Sequence, residues 1–291
     1  MPERFEHHSR ADLRSARERM RARRRRNFII AAALCPVLLI GLGFGGWYAY
    51  GKLKTSRTPP VEVFKITIPE GLTLVQTGQK VAEATERSIP EREFEAASRK
   101  GGYDYGFLTG TNGNLEGYLF PKTYEVNSRA SARSVVQMLL KQFQVETEKL
   151  EWSRAQSLGV TPYQVVIIAS LIEREAKLPV DRPLIASVIY NRLRNNMYLG
   201  IDATVQYALG QWKPVLTNKD LEVDSPYNTY KKKGLPPAPI CSPGFESIRA
   251  ALYPASTDYI YYILTGVDGK HSFTADYQQF IRWKEERSKK Q

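Results

Sequence analysis

The sequence predicts an α+β protein carrying a single N-terminal transmembrane helix. Three observations predict it: residues 28–50 contain no charge, residues 61–68 alternate in a strand pattern, and apolar faces of helical period recur from Thr73 onward. The chain has 291 residues, 42% hydrophobic and 25% charged with both signs present, which excludes global disorder. That length accommodates an anchor and one or two folded units.

The uncharged run comes first. At about 1.5 Å rise per residue, 23 helical residues reach roughly 34 Å, enough for a hydrocarbon core of about 30 Å. Trp47, Tyr48 and Tyr50 gather at its far end, where amphipathic rings favour the membrane interface. The run is too long for a signal peptide, and no A-x-A cleavage site follows it. Leu34 precedes Cys35, which disfavours lipid attachment there. Cys241 is the only other cysteine, so no disulfide framework is expected. Ten arginines stand against four acidic residues before Phe28, half of the net charge of +12. By the positive-inside rule this arm, residues 1–27, stays cytoplasmic and the rest faces outward, with membrane lipid as a partner of the anchor. Topology accounts for the arginines, so no nucleic acid is expected as a partner.

After a polar, proline-containing linker (51–60), residues 61–68 form a strand that Pro69, Glu70 and Gly71 end. Thr73 with Gln76 three residues later is a capping-box start for a helix, and Pro90 opens a second, shorter one. Residues 61–105 therefore read as a small α+β module. Residues 106–291 read as a larger, mixed and mostly helical unit, with a helix over 131–150 and a charged tail over 282–291.

The chemistry concentrates in residues 161–210. Thr161, Pro162 and Gln164 start a helix that is almost wholly apolar from Val165 to Ile172, hence buried. Glu173 and Glu175 follow. Residues two apart on a helix point about 200° from each other, so the pair cannot flank one scissile bond and only one can be the central catalyst. Glu173 shares its face with the small Ala169 and Ser170, which predicts a recess beside it, and is the expected catalyst. Glu175 is expected to orient or support. Spacing alone leaves open that Glu173 simply pairs with Arg174, Arg182 or Arg192. Asp181 is expected to cap the next helix. Asp202 either caps the one after or serves the site. The loops at 225–230 and 234–237 combine aromatic, amide and hydroxyl groups with prolines, which suits sugars but also suits rigid connectors.

Seven segments in order carry a family resemblance: EGYLFP (116–121), ASLIERE (169–175), SVIYNRL (187–193), DATVQY (202–207), SPYNTY (225–230), GLPP (234–237) and HSF (271–273). Over about residues 61–280 the chain resembles the endolytic murein transglycosylase family, also called MltG or YceG-like. Lys122 stands where the family usually has an acidic residue, and Ala238 where glycine is common. The resemblance implies a LysM-like subdomain at 61–105. It also implies non-hydrolytic cleavage of the β-1,4 bond after N-acetylmuramic acid, leaving 1,6-anhydro ends. The implied substrate is the peptidoglycan glycan strand, with peptidoglycan synthases as candidate partners. Glu173 would be the general acid and then base, supported by Glu175, Asn191, Asp202, Gln206, Tyr227, Asn228 and Thr229. His271 is held equally as site or scaffold. No metal or other cofactor is expected. The alternative reading is a non-catalytic, membrane-anchored wall-binding scaffold.

Overall fold

In the computed structural model the uncharged run lies inside one continuous helix, α1 (Arg10–Thr55), which includes Pro36. The structure describes residues 10–55, 62–266 and 268–290. The chain forms two units, Met1–Val61 and Glu62–Gln291. On α1, Ile29, Leu39, Ile40, Leu42, Phe44 and Trp47 are all exposed. Among the described residues no helix is long and apolar enough to cross a membrane. The side chains of residues 26–28, 30, 31, 33–35, 37 and 38, within or beside the expected span, lie outside those described, as do residues 56–61, most of the expected linker.

The second unit starts with β1 (Val63–Thr67), then α2 (Leu74–Ala84) and α3 (Glu91–Arg99). The capping box at α2 forms as its sequence dictates: Gln76 N–H donates to Thr73 Oγ1 and Thr73 N–H to Gln76 Oε1. Val81 and Phe94, fully buried, lie in the shared core of this module. The partner of β1 is β2 (Thr123–Asn127), antiparallel, with Ile66 opposite Tyr124. The strand that completes the module therefore lies beyond Tyr105, where the sequence reading ended it. An excursion over residues 106–122 carries Glu116 inward. Gly117 sits at φ +89°, and a Cβ there would lie 2.6 Å from Pro239 Cβ, so only glycine lets this turn pass beneath the 237–240 loop.

Helices α4 (Ala132–Thr147) and the short α5 (Arg154–Ser157) lead to α6 (Pro162–Glu175), α7 (Arg182–Arg194), α8 (Asp202–Leu209) and the short α9 (Asn218–Leu221). Then come α10 (Phe245–Leu252), the antiparallel hairpin β3 (Tyr261–Leu264) and β4 (His271–Thr274), and α11 (Tyr277–Lys290). The α6 helix is the axis of this unit. Its residues 165–172 are all buried, against α7 and α10. The expected charged tail is mostly helix: α11 packs on β3 through Phe280, whose ring lies 5.1 Å from that of Tyr261.

Candidate active site

The α6 helix ends at Glu175, where Ala176 turns to extended backbone. Its last turn presents the two glutamates to opposite sides, and the two sides differ.

Glu173 is enclosed. Its Oε2 accepts from the Gly244 N–H at 3.0 Å, and Oε1 lies 3.8 Å from Arg182 Nη2. The glutamate side chain is 8% exposed and the arginine 16%. The Glu70 carboxyl rests on Gly244 so closely that any Cβ there would overlap it. Withdrawal from water, then the neighbouring Glu173, raise the Glu70 carboxyl above its ordinary pKa, against the pull of Arg182. The turn carrying Glu70 is tied down by Gly71 N–H to Ser242 O, Ser242 N–H to Leu72 O, and Arg174 to Gly71 O. The recess expected beside Ala169 and Ser170 is filled by protein. Ser170 Oγ accepts from Ile240 N–H, and Cys241 packs on the Ser170 carbonyl. Small residues on that face admit a loop, not a substrate. Arg182, the partner of Glu173, lines a depression of about 440 Å³ with Glu246, Arg249 and Tyr253.

Glu175 has another setting. Its Oε2 accepts from Tyr262 Oη at 2.8 Å. Desolvation raises its carboxyl above the ordinary range. The Tyr262 hydroxyl opposes that rise, nearby Asp202 adds to it, and His271 and Lys177 also oppose it. Tyr262 is driven well up in turn, by burial and then by Glu175. Asp202 is exposed and accepts from Tyr230 Oη at 2.5 Å. It lies in the first turn of α8 and makes no side-chain cap, so the capping alternative is set aside. His271 stands edge-on to Tyr262, its Nδ1 2.8 Å from Asp181 Oδ2, and its backbone N–H donates to the same oxygen. Asp181 stands at the N-cap position of α7, but its side chain makes no cap bond and anchors the hairpin instead.

The remaining predicted residues divide into scaffold and groove. Asn191 is buried and donates to the carbonyls of Thr257 and Tyr259. Asn228 is buried and donates to those of Leu221 and Val223. Thr229 Oγ1 accepts from Ile201 N–H and pairs with Thr204. All three hold loops in place, which fits a supporting role. Gln206 and Tyr227 instead line a groove of about 810 Å³. Its wall includes Glu116, which the sequence reading did not single out as a site residue. Glu116 is buried, and accepts from Leu74 N–H at 2.9 Å and Tyr207 Oη at 3.1 Å. Burial pushes its carboxyl up to about 7. Among the described residues no group of His, Cys, Asp and Glu could hold a metal ion.

Residues 47–286 match the YceG-like family. The chain belongs to that family. A crystal structure of a yceG-like protein from Listeria monocytogenes shares the fold, with a TM-score of 0.68, 34% identity and 75% of each chain covered. The YceG-like chain is 39% identical over 236 residues to a Bacillus subtilis (strain 168) protein named endolytic murein transglycosylase, covering 76% of this chain and 64% of that one. A Streptococcus pneumoniae (strain R6) protein of the same name is 31% identical over 227 residues, covering 70% and 41%. The chain thus spans less than two thirds of the length of these curated relatives.

Proposed function

We propose that this chain is a membrane-anchored endolytic lytic transglycosylase of peptidoglycan glycan strands, with Glu175 rather than Glu173 as its proton carrier. The observation that carries the assignment is the contrast at the end of α6. Glu173 is closed in by Arg182, Gly244 and the Glu70 turn, whereas Glu175 has raised proton affinity beside exposed Asp202 and Tyr230. A carboxyl protonated above the ordinary range can protonate the bridging oxygen as the C1–O bond breaks. The resulting carboxylate then takes the proton of the muramic acid C6 hydroxyl as that oxygen closes on C1. The products are a 1,6-anhydro end and a free C4 hydroxyl, and no water is consumed. One carboxyl suffices because the nucleophile belongs to the substrate, unlike the paired carboxylates of glycoside hydrolases. Tyr262 holds Glu175, and His271, seated on Asp181, backs Tyr262.

The strand–helix–helix–strand order and antiparallel pairing of the small module support its LysM-like reading. The exposed apolar residues of α1 and the arginine-rich flank support a single-pass anchor in the cytoplasmic membrane, N-terminus inside and Glu62–Gln291 outside. Peptidoglycan synthases are candidate partners on that outer side.

Weighing the products of purified glycan strands tests the reaction class. Lytic cleavage leaves fragments one water lighter than hydrolysis does. Water-bearing reducing ends would make the protein a muramidase, and uncut strands would favour the wall-binding scaffold.

A further inference from the structure

The groove beside Glu116 lies outside the chemistry assigned to Glu175. Its lining comes from both sides of the second unit, with α2 supplying Gln76 and Gln79, and α8 and the loops after it supplying Gln206, Tyr207, Trp212 and Tyr227. At about 810 Å³ it falls among clefts that take small ligands. Three aromatic rings stand half-buried in it. Tyr207 and Tyr227 have centroids 4.8 Å apart, and the Arg174 guanidinium lies 3.7 Å from the Trp212 ring centroid, which fixes that ring. Around the rings are side-chain amides. Among the described residues one cation, Arg99, lines the groove, too few for a polyanion. Among the described residues no strand edge lines it, so an extended peptide would find no ladder to join. Rings for apolar faces and amides for hydroxyl and acetamido groups match a saccharide.

We propose that this groove is a distal saccharide subsite, holding N-acetylated sugar units of the same strand that Glu175 cuts. Position supports the link. Gln206 lies one turn after Asp202 on the same face of α8, so one helix face joins the groove to the Glu175 neighbourhood. Arg174, which holds Trp212, is the residue preceding Glu175. The proposal rests on the transglycosylase reading. A subsite away from the bond that breaks contributes binding common to ground state and transition state, so it acts on KM more than on kcat.

The experiment uses the full chain in detergent, carrying Glu175→Gln so that ligand survives. Calorimetric titration with a β-1,4-linked oligomer of N-acetylglucosamine is expected to show binding weakened about tenfold or more by Trp212→Ala and by Tyr227→Ala. Gln79→Trp, an exposed change on α2 that obstructs the groove, should do the same without touching Trp212. In the otherwise unaltered chain, Tyr227→Ala should raise KM for glycan strands with kcat nearly unchanged. Unchanged oligomer affinity in folded Gln79→Trp and Tyr227→Ala proteins would overturn the subsite. So would binding of a sugar-free wall peptide in place of the oligomer. Residual cleavage by Glu175→Gln, by contrast, would count against the catalytic assignment and leave the binding result standing.

Discussion

Glu173 and Glu175 sit in the same helical turn, two residues apart, and have been given opposite surroundings. Glu173 faces inward toward α7 and the start of α10, where a backbone N–H and an arginine take its two oxygens. Glu175 faces the β3–β4 hairpin, where a buried tyrosine hydroxyl donates to it and Asp202 is close. An acid satisfied by an ion pair stabilises the fold that contains it. An acid desolvated without a matching cation holds its proton and can give it away. Helix position alone does not separate these roles; the partners brought from 70, 182, 244 and 262 do.

The largest effect that would sharpen the contrast is at Glu175. Glu175→Gln should lower strand cleavage by about 10³-fold, within the range general acid–base groups contribute. The neutral amide can still accept from Tyr262, so the melting temperature at neutral pH should not fall. A variant that cleaves at near-normal rate would dissolve the distinction. Next comes Glu116, a third desolvated carboxyl. Its folded pKa of about 7 lies above the ordinary glutamate value of about 4.5, so the folded state holds a proton that the unfolded chain has released. Stability should therefore fall as pH rises from about 4.5 to about 7, by roughly 3 kcal/mol in all. Glu116→Gln should flatten that window in denaturant titrations at several pH values; an unchanged slope would show that desolvation there has been misjudged.

Smaller is the effect at Glu173. Glu173→Gln keeps an acceptor for the Gly244 N–H but leaves Arg182 without its carboxylate, so stability should fall by about 1–3 kcal/mol while most activity remains. Chemical denaturation alongside cleavage assays measures both. Smallest is Tyr262→Phe, expected to cost about tenfold in rate. Because the Tyr262 hydroxyl favours the ionised form of Glu175, its loss should also move the high-pH limb of the rate profile upward. A limb that stays put or moves down would mean that Glu175 does not report through that bond.

Local signals were legible in the sequence. The capping boxes at Thr73 and Thr161, and the buried face of α6, follow from residues within a few positions of one another. What stayed hidden depends on distant segments. The pairing of β2 with β1 was invisible because paired residues lie 56 or more positions apart, from Thr67↔Thr123 to Val63↔Asn127. The small Ala169 and Ser170 do mark a close approach, but what approaches is the 240–241 loop, 70 residues on. Arg182 was among the possible partners of Glu173, and that bland pairing is the one the fold makes. Asn191, Asn228 and Thr229 look like substrate ligands in a motif, yet buried amides and hydroxyls also close loops, and only their hydrogen bonds tell the two apart. Glu70 and Tyr262 lie in ordinary strand and turn contexts, with no local feature to single them out.

The most direct trial of the account sets the two amide variants side by side on one preparation of glycan strands, each first shown to be folded, with fragments followed by mass over time. The account predicts anhydro-ended fragments accumulating with Glu173→Gln and essentially none with Glu175→Gln. The reverse pattern, fragments from Glu175→Gln and intact strands with Glu173→Gln, would contradict it.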